Sequence, residues 1–134
     1  MTKISSYKEL EVYKNAFEAA MSIFNLTKSF PAEEKYSLVD QIRRSTRSVC
    51  TGIAEAWRRR RYRAAFVSKL NESETEAAET QVHLQFALEC GYLDKKTVAT
   101  LDDKYEHVMA QIIGMIQGAE HWIVNPQSKK KNVK

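Results

Sequence analysis

The chain is poor in residues that interrupt helices: 134 residues contain four glycines and two prolines. A turn-rich β fold needs many more of both, so their scarcity excludes that class and favours long helices with few connections. Cysteine is as rare. Cys50 and Cys90 lie in separate helical stretches and form no metal-type pair, which sets the expectation of a reduced, cytoplasmic protein. No apolar run approaches the roughly 20 residues that cross a bilayer, and the chain does not open on a signal peptide. A membrane partner is therefore not expected.

Catalytic patterns are also missing. Di-iron helical bundles need Glu-x-x-His on two helices, and this sequence has none. Glu79 and His83 stand one turn apart without a second such pair, while His107 and His121 are isolated. No serine or cysteine has a recognisable base beside it, and no glycine-rich loop is present to cradle phosphates. The expectation is a protein that is not an enzyme, with no cofactor, no metal and no catalytic residues.

What is present is ordinary in amount and unusual in placement. Hydrophobic residues make up 43% and charged residues 28%, enough for one compact domain with a real core. The formal charge of +4 comes entirely from the tail SKKKNVK, through Lys129, Lys130, Lys131 and Lys134, since residues 1–126 balance. The expected division is a domain over 1–125 and a basic, disordered tail over 126–134. All eight arginines fall between Arg43 and Arg63, with no lysine among them and Glu55 as the only acid. Soon after follow Glu72, Glu74, Glu76 and Glu79.

Four periodic segments read as helices. The first covers about Tyr7 to Ser29, with Leu10, Tyr13, Phe17, Ala20 and Phe24 as its apolar stripe. The second covers about Glu33 to Trp57, with Leu38, Ile42, Ser45, Val49, Gly52 or Ile53, and Ala56 inward. Its small members allow a neighbouring backbone to come close. Asp40–Arg44 and Glu55–Arg59 stand at pairing distance on its outer side, whereas Arg43 and Arg47 have no acid between them. The third covers about Arg63 to Cys90, with Phe66, Leu70, Ser73, Ala77, Thr80 or Gln81, Leu84 and Leu88 inward and Gly91 as its stop. Asp94 caps the fourth, whose stripe is Val98, Leu101, Tyr105, Val108, Ile112, Met115, Ala119 and Trp122, ending at Asn125-Pro126. Short connections make neighbours antiparallel, so the fold class is all-α, an up-down-up-down four-helix bundle. Apolar residues outside these stripes, such as Met21, Val82 and Ile113, point to a homo-oligomer; the alternative is a wide stripe on a monomer.

The run Arg58, Arg59, Arg60, Arg61 cannot lie on a packed helix, because successive residues turn by about 100° and would sweep most of the cylinder. It marks an exposed junction between the second and third helices. Guanidiniums make planar, two-pronged contacts to phosphates and carboxylates, so two readings compete. In one, Arg58, Arg59, Arg60, Arg61 and Arg63 contact nucleic-acid phosphates, supported by Arg43, Arg44 and Arg47, with Tyr62 or Trp57 stacking on a base and the lysine tail adding attraction. In the other, the arginines pair with Glu72, Glu74, Glu76 and Glu79, in this chain or a neighbouring one, or meet another protein as an adaptor would.

The order Y-K-E-L-E-V-Y-K-N-A, then F-P-x-x-E-x-Y-S-L-V-D-Q-I-R-R-S-x-R-S-V, I-A-E-A-W-R-R and E-C-G-Y-L resembles the 23S rRNA intervening-sequence proteins, small bacterial proteins loosely labelled ribosomal. The resemblance spans about residues 5–123. It implies a four-helix bundle assembled into a ring-like homopentamer. It also brings in a structurally similar accessory protein that works with a reverse transcriptase, where a basic surface is implicated in binding RNA or DNA. The matching positions include Phe30, Pro31, Glu34, Leu38, Gln41, Ile42, Arg43, Arg44, Ser48, Val49, Ile53, Ala54 and Glu55. The chain departs from the family's Asn-Ile-Ala-Glu-Gly at Gly52 and Ala56, and has Thr75, Glu76 and Gln81 where the family has Gly, Ser and Glu.

Overall fold

A computed structural model of the chain describes residues 3–124; the lysine tail and Asn125-Pro126 lie outside the described residues. Four long helices account for most of it: α1 (Glu11–Thr27), α2 (Leu38–Arg58), α3 (Arg63–Glu89) and α4 (Lys95–Gln117), followed by one further turn, α5 (Ala119–Trp122). Helix α1 packs on α2 and α4, and α3 packs on α2 and α4, so the four form a closed square. Cross-helix partners run in opposite directions along each neighbouring pair: Ser45 meets Thr80 while Val49 meets Ser73, and Asn15 meets Gln111 while Glu18 meets Lys104. The order is therefore up-down-up-down.

The inward faces of α2, α3 and α4 are those that the 3,4 spacing picks out. Ile42, Val49 and Ile53 of α2, Phe66, Leu70 and Leu84 of α3, and Tyr105, Val108 and Ile112 of α4 are buried. Helix α1 keeps Leu10 and Ala20 of its expected stripe buried but departs from it at the aromatics. Val12, Ala16, Ala19 and Ile23 face the core, whereas Phe17 is 50% exposed and Tyr13 and Phe24 are half-buried. Alanines let α1 approach both neighbours, and the bulkier aromatic row is left along the α1–α2 groove.

Three boundaries also differ. A single 3₁₀ turn, Tyr7–Glu9, precedes α1, which begins only at Glu11. Helix α2 begins at Leu38 instead of Glu33, because a 3₁₀ turn at Ala32–Glu34 is followed by a sharp bend at Ser37. Glu34 supplies the cap: one carboxylate oxygen accepts the Leu38 N–H at 3.2 Å and the other accepts the Tyr92 hydroxyl at 2.8 Å. An acid at this end also opposes the positive pole of α2. Helix α4 stops at Gln117, and Gly118 redirects the chain into α5 before the expected end at Asn125-Pro126. Gly91 adopts φ +80°, the left-handed conformation that ends α3, and the Asp94 carboxylate accepts the Thr97 N–H at 2.7 Å to start α4.

The tightest contact is between α2 and α3. A methyl group built on Gly52 would lie 2.8 Å from the Ser73 Cβ. Ser73 donates its hydroxyl to the Val49 carbonyl at 2.7 Å, and Ser45 and Thr80 share a buried hydrogen bond of 2.8 Å. Gly52→Ala gains helix propensity of about 1 kcal/mol but forces the backbones apart at a cost of about 1–3 kcal/mol. A net loss of about 1 kcal/mol is expected, read as a lower urea midpoint at unchanged slope; a raised midpoint would contradict the close approach.

Candidate nucleic-acid interface

The four-arginine run straddles the α2–α3 connection. Arg58 is the last residue of α2, Arg59 leaves helical geometry at φ −103° and ψ 16°, and Tyr62 is extended before α3 starts at Arg63. The turn is held by Arg59 N–H donating to the Ala56 carbonyl at 2.9 Å and Tyr62 N–H donating to the Arg59 carbonyl at 3.0 Å. Basic side chains suit the end of α2, where unpaired carbonyls collect negative potential. They do not suit the start of α3, which has neither a side-chain cap nor an acid in its first turn.

The arginines of this turn are not equivalent. Arg58, Arg59 and Arg61 are exposed, and none forms an ion pair among the described residues. The expected Glu55–Arg59 pair is absent from them, because Arg59 has left the helical register that i,i+4 pairing needs. Arg63 pairs with Glu120 of α5 at 2.9 Å. Arg60 is half-buried: its guanidinium lies 3.4 Å from the Trp57 ring centre, and its Nε–H donates to the Trp57 carbonyl at 2.8 Å. Burial, and next the charge of Arg58, lower its pKa. Of the two aromatics expected to stack on bases, Tyr62 is 59% exposed, whereas Trp57 is buried beneath Arg60 and edge-on to Trp122, 6.2 Å between ring centres. Trp57 is thus a support for the turn and not a contact surface.

The other three arginines sit roughly 16–22 Å back along α2, at 1.5 Å per residue. They do not join the turn. Arg43 faces inward, donating from Nε to the Thr27 hydroxyl at 2.9 Å and from a terminal nitrogen to the Phe24 carbonyl at 3.4 Å, with the Phe24 ring 4.5 Å away. It closes the carbonyl end of α1, so among the expected phosphate contacts Arg43 is the one already engaged within the bundle. Arg44 pairs with Asp40 at 3.0 Å, as its spacing predicts. Arg47 is exposed and borders a cavity of about 230 Å³ between α1 and α2, lined also by Phe17, Met21, Phe24 and Cys50.

Within the chain the glutamates of α3 do not neutralise the turn. Glu72 pairs with Lys69 at 3.5 Å. Glu76 and Glu79 line the α2–α3 groove with Arg44, Val82 and His83. Burial, the adjacent Glu79 carboxyl and the Glu72 charge raise the pKa of Glu76, and burial lowers that of His83. Burial also pushes the Cys50 thiol up to about 11, which leaves it protonated and a poor nucleophile. Among the described residues, no three His, Cys, Asp or Glu side chains gather in a way that could hold a metal ion, and no helix is long and apolar enough to cross a membrane.

The sequence reading missed the support beneath the turn: Trp57, Trp122 and the Val124 N–H, which donates to the Arg60 carbonyl at 3.1 Å. The spacing Trp57-x-x-Arg60, one helical turn, was the available signal. The raised pKa of Glu76 carries its own prediction. Between the ordinary carboxyl pKa and the raised one, the folded chain holds the extra proton, so stability falls as pH rises through that interval. Glu76→Gln is expected to flatten this part of the stability–pH curve, measured as urea midpoints between pH 4 and 7; an unchanged curve would place the repulsion elsewhere.

The sequence model of the 23S rRNA-intervening sequence proteins matches residues 8–114. A crystal structure of a protein of unknown function from the S23 ribosomal protein family of Bacteroides thetaiotaomicron VPI-5482 is similar in fold, with a TM-score of 0.71 and 29% identity, covering 79% of this chain and 95% of that one. No match is found among curated proteins. A helical square with the Phe30–Trp57 sequence block on its second helix, matched by the family's sequence over most of its length, belongs to the 23S rRNA-intervening sequence protein family.

Proposed function

We propose that this is a non-enzymatic, homo-oligomeric protein that binds nucleic acid, with structured RNA as the ligand class, through the arginine turn between α2 and α3. The observation that carries the reading is the free state of Arg58, Arg59 and Arg61: three adjacent exposed guanidiniums with no ion pair among the described residues. Such a cluster repels itself and is relieved by a polyanion whose counterions are released on contact. Tyr62 stands exposed beside them, in position for an unpaired base. The family's name, which refers to intervening sequences of 23S rRNA, favours RNA over other acidic partners.

Self-association is the second part of the proposal, as a ring-like homopentamer in keeping with the resemblance. Two apolar patches on different helices support it. Phe17 and Met21, 50% and 43% exposed, lie beside Arg47 on the α1–α2 side. Val82 and Phe86, 50% and 59% exposed, lie along α3 beyond Glu76 and Glu79. One patch carries basic neighbours and the other acidic ones. They complement each other between copies, and a head-to-tail contact of that kind closes into a five-membered ring when each copy is turned by a fifth of a circle from the last.

Titration against a structured RNA and a duplex DNA at about 50 and 200 mM salt tests the binding. With three phosphates engaged per protomer, affinity is expected to fall roughly 40-fold across that range. Replacing Arg58, Arg59 and Arg61 with alanine should remove most of that dependence. Failure of the folded, assembled protein to bind at low salt would end the nucleic-acid reading and turn the search to an acidic protein face. For assembly, light scattering at micromolar concentration is expected to return a multiple of the 15.4 kDa chain, with Phe86→Glu reducing it to the monomer; a wild-type monomer would refute the ring.

A further inference from the structure

Arg60 differs in kind from its neighbours in the turn. Its backbone is fastened by the Val124 N–H at 3.1 Å, and its side chain by the 2.8 Å bond from Nε to the Trp57 carbonyl. The guanidinium lies on the Trp57 ring at 3.4 Å, and Trp122 braces that ring from the side. Nε is occupied. The two terminal amino groups form no hydrogen bond to protein among the described residues, and they carry four N–H donors in a rigid plane. Arg58, Arg59 and Arg61 form no side-chain hydrogen bond among the described residues, so they must be ordered when a ligand arrives.

We propose that Arg60, seated on Trp57, is the pre-formed phosphate-recognition residue of the turn, offering its two terminal amino groups as a fixed fork to one phosphate of a nucleic-acid backbone. Arg58, Arg59 and Arg61 supply charge without fixed geometry. The inference rests on the nucleic-acid reading above and adds to it a division of labour. A fork of this kind recognises the two non-bridging oxygens of one phosphate together, which a point charge does not. Partial burial and the adjacent Arg58 lower its pKa in the free protein, and the negative charge of a bound phosphate acts in the opposite direction.

Trp57 and Trp122 are the only tryptophans in the chain, so tryptophan emission, excited where tyrosine does not absorb, reports on this pair alone. Titrating the full chain with a structured RNA at about 50 mM salt is expected to change tryptophan emission, with the same midpoint as binding followed by a label on the RNA. Arg60→Lys should weaken binding by about tenfold at an unchanged melting temperature, because lysine keeps the charge and loses the fork. Arg58→Lys, Arg59→Lys and Arg61→Lys should each stay within about twofold. Wild-type affinity in Arg60→Lys, or wild-type binding without any tryptophan response, overturns the role of Arg60 while leaving RNA binding intact. A wild-type protein that binds no RNA overturns the underlying reading instead. Should Arg60→Lys melt early, the wild-type tryptophan response decides the matter.

Discussion

The approach of α2 to α3 at Gly52 and Ser73 governs the rest of the molecule. A glycine at 52 permits that spacing, and the Ser73 hydroxyl then reaches across to the Val49 carbonyl. Two helices held so closely need a tight connection, and the connection here is three residues of arginine and one of tyrosine. Backbone bonds at Arg59 and Tyr62 make the turn compact. In that turn the arginine side chains lie outward or, for Arg60, flat against an indole.

Besides that of Arg60, three arginine environments result from one residue type. Arg43 satisfies the carbonyl end of α1 and is a structural member of the bundle. Arg44 and Arg63 meet carboxylates at the surface, contacts that stabilise by roughly 0–1 kcal/mol each. Arg58, Arg59 and Arg61 have no partner of either sort among the described residues. This sorting explains why the balance of 17 acids and the remaining bases says little about function, whereas the position of each guanidinium says much.

Much of this was legible in the sequence. The stripes of α2, α3 and α4 follow from spacing because each helix has a single apolar face. Helix α1 has two, and periodicity favours the one with larger residues, Tyr13, Phe17 and Phe24; closeness to two neighbours selects the alanine face instead. The start of α2 was misplaced because Glu34 caps it from four residues upstream through its side chain, a contact set by the fold around Tyr92. In the candidate site, the location of the turn followed from helical geometry alone. That Arg43 points inward and that Trp57 is covered did not, since both depend on which elements lie across from them.

The part of the Arg60 clasp that comes from beyond α4 is small. It consists of one helical turn after Gly118, an aromatic edge and one backbone hydrogen bond from Val124. Such a segment opens at a fraction of the free energy needed to melt the four-helix square. The arginine turn is thus fastened in part to a segment much shorter than the helices it joins. Its rigidity is a local property, with its own equilibrium, and it can be lost while the bundle stays folded.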